Sequence, residues 1–298
     1  MPVTGPIPNW VLSIAAAATI FTVMFGLGLE IAPGEFRWVW RRPGLMVKAL
    51  FSVLVAVPVL ALVVTRALDL PRAVEVGIVL MAISPGAPVA LRRSLAAGGH
   101  RAFAPALQIA LAALAVASMP LSVAVLDEYY QGRATVAPEA LARQVFFAQL
   151  LPLSLGVVTR YLSAGAAAWL APRLARLGTM LLLLLVVLAL IDIWKIVIDA
   201  GSRVASAIVV VTLAALAIGH LLGGPDPATR TASAISSALR NPGLAFLVAT
   251  VNGLPAATNA TVVAYFVIAA FIVLPYVFWR RRATATGADP QDNASASQ

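Results

Sequence analysis

The sequence predicts an all-α membrane protein with about nine transmembrane helices, organised as an inverted-topology repeat with two broken crossing helices. Hydrophobic residues make up 61% of the chain and charged residues only 11%, a balance far from that of soluble domains. Several apolar runs approach or exceed the roughly 20 residues that cross a bilayer as a helix. Two of these runs are interrupted by Pro-Gly near the middle, and the interruptions indicate the repeat.

The apolar segments, labelled helices A to I in chain order, account for most of the chain. Residues 165–176 are predicted to form an interfacial link, and the small, polar residues 284–298 a disordered tail. The predicted helices cover about 10–30 (A), 45–65 (B), 72–97 (C), 103–126 (D), 140–163 (E), 177–197 (F), 204–222 (G), 228–251 (H) and 257–279 (I).

Basic residues concentrate in alternate loops between these helices. The A–B loop carries Arg37, Arg41 and Arg42, and the segment after helix I carries Arg280–Arg282. Because cytoplasmic loops are enriched in Lys and Arg, we expect a multi-pass protein of the cell (inner) membrane, with its N-terminus outside and its C-terminus cytoplasmic. The net charge of +9 then follows from orientation in the lipid bilayer, and it gives no indication of nucleic-acid binding.

This orientation exposes an internal symmetry. Helices B, C and D cross the membrane in directions opposite to those of helices G, H and I, and the broken helix is the middle one in each triplet. Such a layout is typical of inverted-topology repeats in transporters. Helix A then pairs with helix F, whereas helix E has no partner.

The two interruptions are candidates for a substrate-binding site near the middle of the membrane. Proline removes a backbone N–H and glycine adds conformational freedom, and the freed polar groups must be buried in protein or line a cavity. The alternative is that each Pro-Gly pair only kinks its helix for packing. The candidate site residues are Ser84, Pro85, Gly86, Ala87 and Pro88 in helix C, and Arg240, Asn241, Pro242 and Gly243, with Ser236 one turn before them, in helix H.

The residues give no indication of an enzyme. The chain has no cysteine, which excludes disulfides and thiolate metal sites. No Ser/His/Asp set, metal-ligand cluster or phosphate-binding loop is present in the sequence. We therefore predict no catalytic residue, no metal site and no cofactor.

Several motifs resemble those of the bile acid:sodium symporter family. The segment Phe25–Glu30, with Glu35-Phe36 and Arg42-Pro43 after it, resembles that family's second helix and following loop. Ser84-Pro85-Gly86 with Ala97-Gly98-Gly99 resembles its first crossing helix, and Asn241–Ala245 its second. The resemblance extends from about Phe21 to Phe278 and fits the nine-helix form, which lacks the first helix and so explains the unpaired helix E.

The resemblance implies a core and a panel that move against each other. The core would comprise residues 45–126 and 204–279, and the panel residues 10–30 and 140–197. Alternating access of a site near the crossing would then carry a small organic anion across the membrane. Arg92 and Arg93, in the inner part of helix C, would line a vestibule or extend to the lipid headgroups.

The expected sodium ligands of that family are replaced in this chain. Residue by residue, the ligand positions fall on residues that offer one hydroxyl and no carboxylate, so sodium is a doubtful partner and its coupling is expected to be weakened or absent. The positions are Val53, Ala90, Leu91, Ser236 and Arg240.

Arg240 adds a charge at mid-membrane depth, which costs about 2.5–3.5 kcal/mol on insertion scales and marks a functional candidate. We hypothesise that its guanidinium stands in place of a sodium ion and attracts the anionic substrate. The alternative is that Arg240 pairs with a backbone carbonyl in the unwound segment or extends to the membrane surface.

Three other functions remain open at this point. One is a sodium-coupled symporter with a rebuilt ion site, and another is a pore or non-transporting membrane protein on the same fold. The third is an arsenite-type efflux carrier. It is disfavoured because such carriers depend on a thiol in the first crossing helix, and this chain has no cysteine.

Overall fold

The computed structural model describes residues 8–31, 34, 36–129, 136–199 and 201–286. All regular structure in these ranges is helical, and two helices contain short π-helical segments, Ser52–Ala56 and Phe146–Leu150. The α-helices are α1 (Asn9–Glu30), α2 (Phe36–Arg41), α3 (Pro43–Phe51), α4 (Val57–Ala67), α5 (Arg72–Ala82), α6 (Pro88–Ala96), α7 (Phe103–Tyr129), α8 (Pro138–Val145), α9 (Leu151–Leu162), α10 (Ala164–Asp199), α11 (Gly201–Leu222), α12 (Pro227–Ala238), α13 (Pro242–Val251) and α14 (Ala256–Thr286).

The prediction of an all-α membrane protein is confirmed. Among the described residues, 8 helical stretches are long and apolar enough to cross a membrane by length and composition. Predicted helix C is not among them: residues 83–87 separate α5 from α6, each too short to cross a bilayer alone, whereas the break in predicted helix H, at residues 239–241, is shorter and that segment is counted as one span. The nine-helix count and the inverted repeat fit this arrangement.

The π-helical segments in predicted helices B and E each precede a proline. Proline lacks the N–H that an α-helix needs, and a widened turn accommodates this loss. The N–H of Val57 donates to the Ser52 carbonyl, five residues earlier, and Pro58 follows. The N–H of Leu151 likewise donates to the Phe146 carbonyl, and Pro152 follows.

The structure differs from the expected boundaries at three places. Residues 165–176 are not a link, because α10 begins at Ala164 and continues through them; their Ala, Leu and Arg residues favour helix. The short helix α2 lies in the predicted A–B loop. Helix α14 extends to Thr286, and residues 287–298 of the predicted disordered tail lie outside the described residues.

Glycines bring α1 very close to α9. A Cβ atom added at Gly28 would lie 2.9 Å from the Cα of Gly156, and one added at Gly156 would lie 2.9 Å from the Cα of Gly28. On another face of α1, Gly26 lies against Leu174 of α10. Small residues at such positions let helix backbones approach in membranes. The contacts join predicted helix A to predicted helix E and to the segment 165–176.

We expect Gly28→Ala to destabilise the protein, because its new methyl group would overlap the α9 backbone. The expected cost is roughly 1–3 kcal/mol, typical of overpacking. The control is Gly165→Ala, since Gly165 lies in α10 with no atom near its Cβ position. Thermal melting of the purified proteins measures both changes. If Gly28→Ala had the same melting temperature as Gly165→Ala, that result would contradict this packing.

Candidate substrate site at the helix crossing

Both predicted interruptions are breaks in the helix. Helix α5 ends at Ala82 and α6 starts with Pro88, and between them Gly86 adopts the left-handed conformation with φ of 80°. Helix α12 ends at Ala238, and α13 starts with Pro242. Each second half-helix therefore begins with a proline, whose missing N–H is not needed in the first turn.

The two breaks meet in the interior. The Asn241 N–H donates to the Ser84 carbonyl at 3.0 Å, and the Ser84 hydroxyl donates to the Leu80 carbonyl at 2.7 Å. One backbone hydrogen bond thus joins the two breaks, with its donor in the second and its acceptor in the first, as the low polarity of a membrane interior requires. Nine of the ten predicted site residues are buried, and only Pro242 is partly exposed.

Gln149 binds the second break and lies beside the first, and sequence reasoning missed it. Its Oε1 accepts a hydrogen bond from Asn241 Nδ2 at 3.1 Å, and its Nε2 donates to the Ala112 carbonyl at 3.3 Å. A Cβ atom at Gly86 would lie 3.2 Å from the same Nε2. The available signal was an amide within predicted helix E, which also contains Gln144, because a polar side chain in a membrane segment marks a functional candidate.

Asn241 also stabilises the start of α13. Its Oδ1 accepts a hydrogen bond from the Leu244 N–H at 3.1 Å, so Asn241 is the N-cap residue that precedes Pro242. Such a cap satisfies one of the four free N–H groups of a helix start. The Asn-Pro-Gly motif therefore has a direct structural role in the break, beside any contact with substrate.

Arg240 is buried with 3% of its surface exposed, so it does not extend to the membrane surface. Its Nη1 donates to the Val53 carbonyl at 3.0 Å. That carbonyl lies in the π-helical segment, and Pro58, five residues later, has no N–H to offer it. Within the described residues, Arg240 Nε and Nη2 have no hydrogen-bond partner.

The structure therefore brings together Val53 and Arg240, two of the positions at which the resemblance implies sodium ligands. The Ser236 hydroxyl is engaged by Gln108 Nε2 at 3.2 Å, and Ala90 and Leu91 are buried. In the part of the chain that is described, no group of three His, Cys, Asp or Glu residues is placed to hold a metal ion.

Two cavities flank the crossing. The larger, about 620 Å³, lies among the ends of α4, α5, α7, α13 and α14 and approaches the first break at Leu80 and Ile83. Arg66 and Arg72 also line it. The smaller, about 50 Å³, is lined by Arg93 and Arg240 together with apolar side chains. Of the predicted site residues, Arg240 thus borders the smaller cavity.

Opposite the larger cavity, Arg92 connects α6 to two other helices. Its Nη2 pairs with Glu30 Oε1 at 3.1 Å, at the end of α1. Its Nη1 donates to the Ala175 carbonyl of α10 at 3.5 Å. Arg92 therefore bridges between helices in this conformation, which neither of the two sequence-based alternatives for it anticipated.

We expect Gly86→Ala to lower the melting temperature more than Gly253→Ala. Both glycines have positive φ, of 80° and 64°, so both variants carry the left-handed strain of about 1–2 kcal/mol. Only the methyl group at residue 86 would press on Gln149, because the Cβ position at Gly253 is open. Equal melting temperatures of Gly86→Ala and Gly253→Ala would contradict the close contact between Gly86 and Gln149.

The family model described as Sodium Bile acid symporter family matches residues 17–201, more than half of the chain. A relative from Bacillus subtilis (strain 168), the uncharacterized sodium-dependent transporter YocS, is 24% identical over 155 residues. That match covers 51% of this chain and 47% of the relative, so it spans about half of each protein. The chain therefore belongs to the sodium bile acid symporter family.

Proposed function

We propose that this protein is a secondary carrier of a small organic anion that works by alternating access with weakened or absent sodium coupling. The observation that carries the proposal is the buried hydrogen bond from Arg240 to the Val53 carbonyl. It holds a fixed positive charge beside the crossing, where the family resemblance implies a sodium ion. The protein is proposed to lie in the cell (inner) membrane, with its N-terminus outside.

The fixed charge disfavours a sodium ion at the same place. Two unit charges 4 Å apart repel by about 4 kcal/mol at an effective dielectric constant of 20. The side chains of Val53, Ala90 and Leu91 supply no oxygen to offset that repulsion. A sodium-coupled symporter with a rebuilt site is the second candidate, and the name of the relative, a sodium-dependent transporter, favours it.

The large cavity supports an organic anion as the substrate. Its volume of about 620 Å³ falls within the range of small-molecule sites. Most of its lining is apolar, and Arg66 and Arg72 add positive charge, which raises the local concentration of anions. Glu75 pairs with Arg66 at 3.1 Å, so a carboxylate of the substrate would compete with an existing partner there.

The positions of the cavity and of Arg92 support alternating access. In the proposed orientation, the large cavity faces the outside, and the Arg92 contacts with Glu30 and Ala175 close the inner side. The proposed panel (10–30 and 140–197) would move against the proposed core (45–126 and 204–279). Inward opening would then break the Arg92 contacts and the Gln149–Asn241 hydrogen bond, which both cross that boundary.

Thermal melting with a panel of organic anions tests sodium independence. Purified protein is titrated in sodium buffer and in choline buffer of equal ionic strength. We expect an anion that stabilises the protein equally in both buffers, because Arg240 replaces the ion. Stabilisation that requires sodium would contradict the proposal and support the sodium-coupled alternative.

The same titration of variants assigns the role of Arg240. Arg240→Ala is expected to weaken anion binding at least tenfold, and Arg240→Lys is expected to retain part of it because the charge remains. Arg176→Ala is the matched control, since Arg176 is exposed on α10. Anion affinity that is unchanged in Arg240→Ala would remove Arg240 from the substrate site.

A further inference from the structure

Two arginines near the crossing lack a carboxylate partner. Glu30 and Glu75 are engaged by Arg92 and Arg66. Across the described ranges, Arg93 and Arg240 form no ion pair with any acidic residue. Arg240 is the more deeply buried of the two, and its Nε and Nη2 donors have no partner.

Arg93 and Arg240 line the same small cavity. Arg93 comes from α6, the second half of the first crossing helix, and Arg240 from the break in the second. The remaining walls are apolar and offer no side-chain acceptor for the free guanidinium donors. They are formed by Met81, Val89, Leu239, Phe266, Ala269, Ala270 and Val273.

The dimensions and the charge of this cavity define what fits it. A volume of about 50 Å³ admits a few water-sized groups but not an organic molecule of the size that the large cavity accommodates. Water accepts hydrogen bonds from a guanidinium but leaves its charge uncompensated. A small anion accepts the same hydrogen bonds and also neutralises the charge, which burial in low dielectric makes costly.

We propose that the cavity between Arg93 and Arg240 binds a small inorganic anion of the size of chloride. The ion joins α6 to the break before α13, so it stabilises the crossing from the side opposite the large cavity. This inference goes beyond the proposed organic-anion transport and does not depend on it. It assigns Arg240 a second ligand in addition to the Val53 carbonyl.

Chloride titration of the purified protein tests this site. Sodium gluconate is replaced stepwise by sodium chloride at constant ionic strength, so sodium and screening stay fixed. We expect a saturable rise in melting temperature with chloride. Arg93→Gln should raise the chloride concentration at half-effect at least tenfold, because one of the two guanidiniums is lost.

Arg176→Gln is the control, because Arg176 is exposed on α10 and lines neither cavity. It should leave the chloride midpoint unchanged. Arg240→Gln should also weaken chloride binding. If that variant does not fold, Arg93→Gln still decides the question, because Arg93 is partly exposed and not needed for the breaks.

Two results would overturn the inference. The first is a flat chloride titration of the wild-type protein, and the second is an unchanged midpoint in Arg93→Gln. If no organic anion binds but chloride acts through Arg93, the transport proposal fails and the anion site stands.

Discussion

The hydrogen bond between the Arg240 guanidinium and the Val53 carbonyl is the interaction on which the centre of this protein depends. Pro58 cannot donate to that carbonyl, and a π-helical segment widens the helix there. A buried carbonyl without a partner costs roughly 1–3 kcal/mol. Arg240 supplies the missing donor at 3.0 Å, and in return the carbonyl holds the guanidinium in the interior. Pro58 in predicted helix B thus leaves a carbonyl that holds the Arg240 guanidinium of predicted helix H in place.

The crossing is stable because its irregular backbone is satisfied inside the protein. The two breaks share the Asn241–Ser84 hydrogen bond, and Asn241 caps α13 while it binds Gln149. Gln149 itself comes from predicted helix E, which has no counterpart in the predicted repeat. A hydrogen bond from that helix to the break gives the proposed panel a direct contact with the proposed substrate site. Movement between the two parts would therefore change the hydrogen bonding of the crossing itself.

The sequence predicted the membrane fold and the positions of both breaks, because a long apolar run determines a membrane span, and a Pro-Gly pair interrupts a helix, at its own place in the chain. It did not predict that Arg240 would reach Val53, since that contact joins residues far apart in the chain and depends on a π-helical segment that hydrophobic periodicity does not reveal. Gln149 was missed for the same reason, because its partners come from α7 and the second break. Residues 165–176 were wrongly predicted as a link; they belong to α10, which accommodates Pro172 in its interior.

A double-mutant cycle between Pro58→Ala and Arg240→Met tests the central interaction most directly. Alanine at position 58 restores a backbone N–H to the helix, so the Val53 carbonyl gains a local partner and no longer requires Arg240. We predict that Arg240→Met lowers the free energy of unfolding by about 1–3 kcal/mol more in the wild-type background than in the Pro58→Ala background. Melting of the four purified proteins gives this coupling energy. Additive effects of the two substitutions would contradict the account.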